Sequence, residues 1–154
     1  MNPAAVAAAW LLEYRRGEYA AFPAARALAL VERPRVAAIP GAPAHCVGLM
    51  SWEGRYAPIL DLACMAYPTD RAAEASPSYA LVLAWQSPAG WQPGALSAPF
   101  LAAMTQVSDT QQCEPLPDRG LLPHLACSWF SFEAQPTPVI DVDRLFCGSH
   151  DTMP

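Results

Sequence analysis

The chain has 154 residues, of which 53% are apolar and 15% are charged, a small charged share for a soluble protein. This length and composition suit one domain with a sizeable core and exclude a disordered chain, while the seventeen prolines exclude long helices. The net charge of -5 is expected to repel phosphate backbones, so no nucleic-acid partner is expected.

The first half of the chain predicts short strands and turns. The alanine-rich residues 1–12 do not fit a signal peptide, because no positive charge precedes them, and they are too short to span a membrane. Residues 10–14 predict a strand, and residues 22–32 stay ambiguous between helix and strand. Residues 47–62 predict a hairpin that turns at Glu53 and Gly54. The polar residues 68–77 predict a solvated loop between two halves.

The second half predicts further strands. Residues 79–85 indicate a buried strand, and residues 87–94 indicate a turn-rich connector. Helical spacing after Ser97 and Pro99 predicts a helix, since four large apolar side chains recur with that period: Phe100, Leu101, Met104 and Val107. Residues 126–132 and 137–142 predict a second strand pair, and residues 148–154 predict a flexible tail.

Two segments eighty positions apart share one pattern. Residues 58–65 and 138–145 both contain a proline, two aliphatic residues, an aspartate and another aliphatic residue. A Ser-Trp pair precedes each, Ser51-Trp52 and Ser128-Trp129, which implies a turn three residues longer in the second hairpin. Each aspartate is expected to accept backbone N–H bonds where its strand turns into a short helix. The pattern predicts two similar lobes within one domain, residues 1–147, with a boundary near 67–78.

The stretch that contains the first of these segments resembles a known family. Glycine, five residues, glycine, three residues, proline, aliphatic, any residue, aspartate and leucine follow one another without a gap, at Gly48, Gly54, Pro58, Ile59, Asp61 and Leu62. This pattern is similar to that of the CheW-like coupling proteins of bacterial chemosensory systems, and the likeness extends over residues 8–147. It implies an all-β fold of two small five-stranded β-barrel lobes packed together around a shared core, with short terminal helices. It also implies strand and bend over residues 95–107, which we adopt in place of the helix.

The resemblance further implies a function. The chain is expected to be a non-enzymatic adaptor, without cofactor or metal, that couples the cytoplasmic tips of chemoreceptors to the regulatory domain of a chemotaxis-type histidine kinase. Glu53 stands where the family commonly has an arginine, so it would repel a partner carboxylate there, and Arg55 is placed to compensate in part.

The residues expected to bind partners lie in the first hairpin and in the connector. Aromatic side chains dominate protein interfaces, and Trp91 lies among turn-forming residues that make it hard to bury. Trp52 and Trp129 are expected to anchor the two lobes. The predicted partner-binding set is Gly48, Trp52, Glu53, Gly54, Arg55 and Trp91.

Two other function classes stay open. Asp141 and Asp143 would share one face of an extended chain, as the acid and base of a hydrolase would, and His45 stands beside Cys46. The plainer interpretation is that Asp143 caps a short helix, residues 144–146, and that Cys46 is a core residue. The alternatives are therefore a small hydrolase barrel that uses Asp141, Asp143 and His45, and an oligonucleotide-binding barrel, which the acidic charge disfavours.

The cysteines and the N-terminus together predict a location. The five cysteines are odd in number, contain no CxxC pair and lie in apolar surroundings, which predicts buried, reduced thiols. A cytoplasmic protein without direct membrane insertion is therefore expected.

Overall fold

The structure is a computed structural model that describes residues 6–68, 77–100 and 102–147. Short turns of 3₁₀-helix lie at Ala24–Arg26 and Asp109–Gln111. The strands and α-helices, in chain order, are β1 (Val6–Arg15), β2 (Glu18–Pro23), β3 (Ala27–Glu32), β4 (Val36–Ala37), β5 (Cys46–Trp52), β6 (Arg55–Leu60), α1 (Leu62–Ala66), β7 (Tyr79–Ser87), β8 (Gly90–Ala98), β9 (Ala103–Ser108), α2 (Leu122–Leu125), β10 (Ala126–Phe132), β11 (Gln135–Ile140) and α3 (Val142–Phe146). The prediction of an all-β fold with short helices is confirmed.

These strands form two sheets. One has the order β10-β11-β2-β1-β9 and joins strands from both ends of the described chain, and we name it the terminal lobe. The other has the order β3-β7-β8-β6-β5-β4, with the two-residue β4 as a sixth strand, and we name it the central lobe. Strands on both sides of residues 67–78 belong to the central lobe. The sheets therefore divide the chain near residues 24–26 and 99–102, which differs from the predicted boundary.

Each lobe contains the same hairpin and helix. The elements β5, β6 and α1 have the same lengths as β10, β11 and α3, and every corresponding residue is eighty positions apart. The pairing irregularity also recurs, between Cys46 and Gly48 in one hairpin and between Ala126 and Ser128 in the other. The repeat that the sequence pattern predicted is therefore present in the backbone.

A second hairpin completes each repeat, but it comes from a different part of the chain. In the central lobe β6 pairs in parallel with β8, where Ile59 lies beside Ala95. In the terminal lobe β11 pairs in parallel with β2, where Val139 lies beside Ala21. The hairpin β1–β2 thus takes the place in the terminal lobe that β7–β8 takes in the central lobe. The C-terminal repeat is completed by the N-terminal hairpin, so no single boundary separates the lobes.

The constant offset corrects one detail of the predicted repeat. With this offset, Ser131 and Phe132 are the residues equivalent to Ser51 and Trp52. Both hairpins have two-residue turns. The predicted match with Ser128-Trp129 and the longer second turn are wrong. Backbone pairing fixes the register of a strand, and a matching dipeptide does not.

The lobes share one core. Its largest cluster lies between them, and it draws large buried side chains from both sheets and from the helices, including Leu12, Phe22, Leu60, Leu81, Leu96, Leu122, Ile140 and Leu145. Smaller clusters fill the interior of each lobe. Because the largest cluster needs both sheets, we expect neither lobe to be stable alone.

The repeated aspartates cap the helices that follow the hairpins. Asp61 accepts a hydrogen bond from the backbone N–H of Ala63 at 2.9 Å, and Asp141 accepts one from Arg144 at 3.2 Å. The predicted role of these aspartates is confirmed in both repeats. The predicted capping by Asp143 is wrong, because Asp141 is the N-cap of α3 and Asp143 lies in its first turn.

Four other expectations are resolved. The ambiguous residues 22–32 contain the end of β2, a 3₁₀ turn and β3. The helix that spacing predicted at residues 100–107 is replaced by β9, as the family resemblance implied. The connector predicted at 87–94 is wrong, because β8 begins at Gly90 and pairs directly with β7. The prediction of buried thiols holds only for Cys64, because Cys46 and Cys113 are half-buried and Cys127 and Cys147 are exposed.

Candidate partner-binding surface

Most of the predicted site residues lie at one end of the central lobe, where the hairpins β5–β6 and β7–β8 meet. The Arg55 guanidinium donates a hydrogen bond to the backbone carbonyl of Trp91 at 3.1 Å and another to the side-chain oxygen of Gln92. The fold therefore brings Arg55 and Trp91 together across 36 positions of sequence. We name the surface of residues 52–56 and 91–92 the central-lobe tip.

The turn at this tip has the geometry of a tight hairpin. Glu53 has a φ of 50° and Gly54 a φ of 74°, so both turn residues adopt the left-handed region that suits a two-residue hairpin connection. Glycine takes this conformation without steric cost, whereas Glu53 takes it at some cost. Both residues are exposed, so the Glu53 carboxylate stands at the outer edge of the tip.

Large aromatic side chains are exposed here. Trp91 is 54% exposed and Tyr56 is 75% exposed. Trp52 is half-buried and packs against the interior of the central lobe, in agreement with its predicted anchoring role. Tryptophan, tyrosine and arginine are the residues most enriched where single side chains dominate binding energy. The tip therefore has the composition of a protein-binding surface.

A salt bridge holds the Trp91 ring in place. The Arg26 guanidinium lies 4.9 Å from the centre of that ring, and it binds both carboxylate oxygens of Asp143, at 2.7 and 3.0 Å. The backbone N–H of Gln86 also donates to Asp143, at 2.7 Å. These hydrogen bonds, that of Arg26 foremost, hold the pKa of the Asp143 carboxyl below its usual value. The salt-bridged guanidinium restricts the motion of the exposed Trp91 ring, and a restricted side chain loses less entropy when it enters an interface.

Sequence reasoning missed Arg26. It lies 117 positions from Asp143, and no local pattern relates the two. The pairing arises because the 3₁₀ turn before β3 and the helix α3 meet beside β7. Tyr56 was missed as well, although its place beside the turn of an exposed hairpin is a signal that could have identified it.

Gly48 has a different role from the other predicted residues. It is buried on β5, four residues from Trp52. A Cβ atom at this position would lie 2.4 Å from the backbone oxygen of Ala37 and 2.8 Å from Val36 Cγ1. The glycine therefore lets β4 approach β5 closely. It supports the central lobe and does not contribute a side chain to the tip.

A cluster of charged and aromatic residues also ties the lobes together. The Tyr67 hydroxyl donates a hydrogen bond to Glu18, and Arg119 forms a salt bridge with Glu18 at 3.2 Å. The guanidinium groups of Arg15 and Arg119 lie 4.2 and 5.5 Å from the centre of the Tyr67 ring. Burial, and then the contact with Glu18, raise the pKa of Tyr67. The cluster joins the segment after α1, in the central lobe, to the terminal-lobe hairpin β1–β2.

The residues of the hydrolase alternative have separate structural roles. Asp141 caps α3, and Asp143 pairs with Arg26. The His45 carbonyl accepts a hydrogen bond from the backbone N–H of Asp61 at 2.8 Å, at the start of β5. Within residues 6–68, 77–100 and 102–147, no three histidine, cysteine or acidic side chains are grouped as metal ligands. In the same part of the chain, none of the helices has the length and apolar character needed to cross a membrane.

Two packed sheets that share a core and display an aromatic tip define a binding module of two β lobes. The family model of the CheW-like domain matches residues 12–146. The chain therefore belongs to the CheW-like family, whose members are scaffold proteins of chemotaxis signalling.

A solved structure is similar in fold. The scaffolding protein TtCheW from Thermoanaerobacter tengcongensis superposes with a TM-score of 0.71 at 12% sequence identity, covering 94% of this chain and 90% of that chain. At this identity the likeness supports the fold alone. No curated protein matches the chain significantly in sequence.

Proposed function

We propose that the protein is a non-enzymatic, cytoplasmic adaptor that couples the cytoplasmic tips of chemoreceptors to the regulatory domain of a chemotaxis-type histidine kinase. Membership of the CheW-like family over residues 12–146 is the observation that carries this proposal. The exposed aromatic tip of the central lobe supports it, because an adaptor acts through surface complementarity.

The central-lobe tip is the surface that we assign to a partner. Trp91 supplies a fixed apolar face, and Tyr56 and Arg55 supply further contacts around it. Glu53 at the outer edge sets partner choice: it repels a carboxylate and attracts a basic group. We therefore expect the partner to place an arginine or lysine beside Glu53. An arginine at position 53 would instead bind an acidic group of the partner.

Calorimetric titration tests the assignment. The purified protein is titrated with the regulatory domain of the histidine kinase encoded beside it, and separately with a receptor-tip fragment. We expect binding to at least one of these. Trp91→Ala should weaken that binding about 30-fold or more, since residues of this kind often contribute about 2 kcal/mol or more at an interface.

Val6→Ala is the matched control, because Val6 is a similarly exposed apolar residue of the terminal lobe. It should change the affinity less than about twofold. Absence of heat with both partners at high micromolar concentration would contradict the adaptor role for that kinase and receptor. Equal loss in the two variants would contradict the assignment of the tip.

A further inference from the structure

The two lobes differ in how their corresponding ends are filled. In the central lobe β4 crosses Gly48, and Val36 packs over it, so the chain's own residues occupy that end. In the terminal lobe the eighty-residue offset places Ser128 at the corresponding position. There, the segment around Gln112 and Cys113 crosses β10. It forms one isolated bridge, between Gln112 and Phe130, and the Cys113 N–H donates one hydrogen bond to the carbonyl of Trp129. A cavity of about 410 Å³ opens beside Ser128.

The walls of this cavity are mainly apolar. Trp129, Phe130 and Ala9 are buried at its inner side, and Val107 and Val139 line it from β9 and β11. Its volume lies within the range of about 300–1,000 Å³ that is usual for pockets that bind small molecules. Protein interiors are otherwise close-packed, and at the corresponding position of the central lobe Ala37 and Val36 lie directly against Gly48, so the open space beside Ser128 distinguishes the two lobes at this position.

The charge at the mouth defines the ligand class. Among the described residues that line the cavity, Asp109 is the one with an ionisable side chain, and it is exposed at the rim. A carboxylate beside an apolar pocket favours a ligand that joins an apolar body to a positive charge. A ligand with a carboxylate would be repelled there, and the net charge of -5 on the chain acts in the same direction.

We propose that the terminal-lobe cavity binds a small organic cation. The ligand has an aromatic or aliphatic body, which fills the space between Trp129 and Val107, and an ammonium group, which pairs with Asp109. The site lies in the terminal lobe, away from the central-lobe tip. The proposal therefore goes beyond the adaptor role, and it stands or falls independently of that role.

Binding of tryptamine, followed by ¹H–¹⁵N NMR, tests the proposal. Indole-3-propionate is the matched probe, because it has the same ring and the opposite charge. We expect tryptamine to shift the amide signals of Ala9, Val107 and Phe130 in a saturable way. The acid should bind at least about tenfold more weakly. Asp109 attracts the ammonium group of tryptamine and repels the carboxylate of the acid.

Three variants sharpen the result. Ala7→Phe places a large side chain at the mouth and should abolish the shifts, whereas Gln106→Phe, on β9 but outside the lining, should not. Asp109→Asn should lower the affinity for tryptamine about threefold and leave that for the acid equal or stronger. If Ala7→Phe fails to fold, Asp109→Asn still decides the outcome.

Several results would overturn the proposal. They are the absence of saturable shifts at several millimolar tryptamine, shifts that cluster away from the cavity, equal affinity for the acid and the amine, and an Asp109→Asn variant that binds both probes as the unchanged protein does.

Discussion

The two hairpins β5–β6 and β10–β11 have the same backbone but different residues where that backbone is most demanding. At the close approach below the crossing segment, the central lobe has Gly48 and the terminal lobe has Ser128. At the second turn position, with φ values of 74° and 64°, the central lobe has Gly54 and the terminal lobe has Ala134. The comparison shows that a shared topology leaves each repeat free to fill its interior and relax its turn differently. At this position β4 closes the central lobe, whereas the terminal lobe has a cavity.

The largest expected difference between the lobes concerns Gly48. Gly48→Ser should lower the free energy of unfolding by about 2–4 kcal/mol, because the new Cβ meets backbone atoms and the φ of 152° is strained for any side chain. Ser128→Gly should change it by less than about 1 kcal/mol. Urea denaturation monitored by circular dichroism gives both values. Equal effects in the two lobes would show that β4 yields easily and that the glycine is not required.

The capping aspartates provide the next comparison. Asp61→Ala should cost about 1.5–2 kcal/mol and Asp141→Ala about 1 kcal/mol, since Asp61 is 7% exposed and its loss leaves a backbone N–H without a substitute partner from solvent. Asp61→Asn and Asp141→Asn should restore most of each loss, because asparagine also caps helices. A larger cost at Asp141 than at Asp61, measured by urea denaturation, would contradict this account.

The turns should respond in opposite directions. Ala134→Gly should stabilise the protein by about 1 kcal/mol, because it removes an alanine from the left-handed region, and Gly54→Ala should destabilise it by a similar amount. Thermal unfolding of the two variants and the unchanged protein measures the signs. The same sign for both would mean that the turns differ in conformation in solution.

The smallest expected effect is the pH dependence of the Arg26–Asp143 pair, which has no counterpart in the repeat β5–β6–α1, since position 63, eighty residues before Asp143, holds alanine. Because the pKa of Asp143 is lowered in the folded protein, the pair stabilises it at neutral pH, and this contribution disappears as the pH falls below about 4. Partial exposure, 29% and 39% for the two side chains, limits it to about 0.5–1 kcal/mol.

Asp143→Asn should therefore lower stability at pH 7 and have little effect at pH 3, as denaturation at both pH values would show. A loss of equal size at both pH values would indicate that hydrogen bonding, and not charge, is the basis of the pair. Arg119→Gln removes a different partly buried ion pair, that with Glu18. Comparing the two variants shows whether the pH-dependent loss of stability is specific to the Arg26–Asp143 pair.

The sequence predicted much of the fold because its signals are local. The Pro-aliphatic-Asp pattern at Pro58 and Pro138 depends on residues within one strand and one helix turn, so it could be recognised without any contact. The hairpin with Glu53 and Gly54 is local in the same way. The spacing of Phe100 and Met104 gave the wrong element, because pairing with β1 outweighs an apolar period that fits a helix equally well.

The candidate surface could be predicted only in part. Trp91 and Arg55 were identified by residue type, but the connector prediction placed Trp91 on a loop, and it lies on β8. Its support by Arg26 and Asp143 depends on residues far apart in the chain, whose meeting no propensity describes. The exposed Cys127, on β10, and Cys147, at the end of α3, were misjudged because burial depends on the packing of neighbouring elements, which sequence reasoning does not supply.

The amino-acid pattern alone determined that the chain forms short strands and hairpins, that two aspartates cap the helices, and that the family motif lies at residues 48–62. Tertiary structure decided that the N-terminal hairpin completes the C-terminal repeat, that the six-stranded lobe closes over a glycine, and that the five-stranded lobe retains a cavity. The physical reason is the separation along the chain of the residues that interact. Turns, caps and side-chain periods depend on neighbours along the chain, whereas sheet membership and packing depend on residues far apart in the sequence, such as Ile59 and Ala95 or Ala21 and Val139.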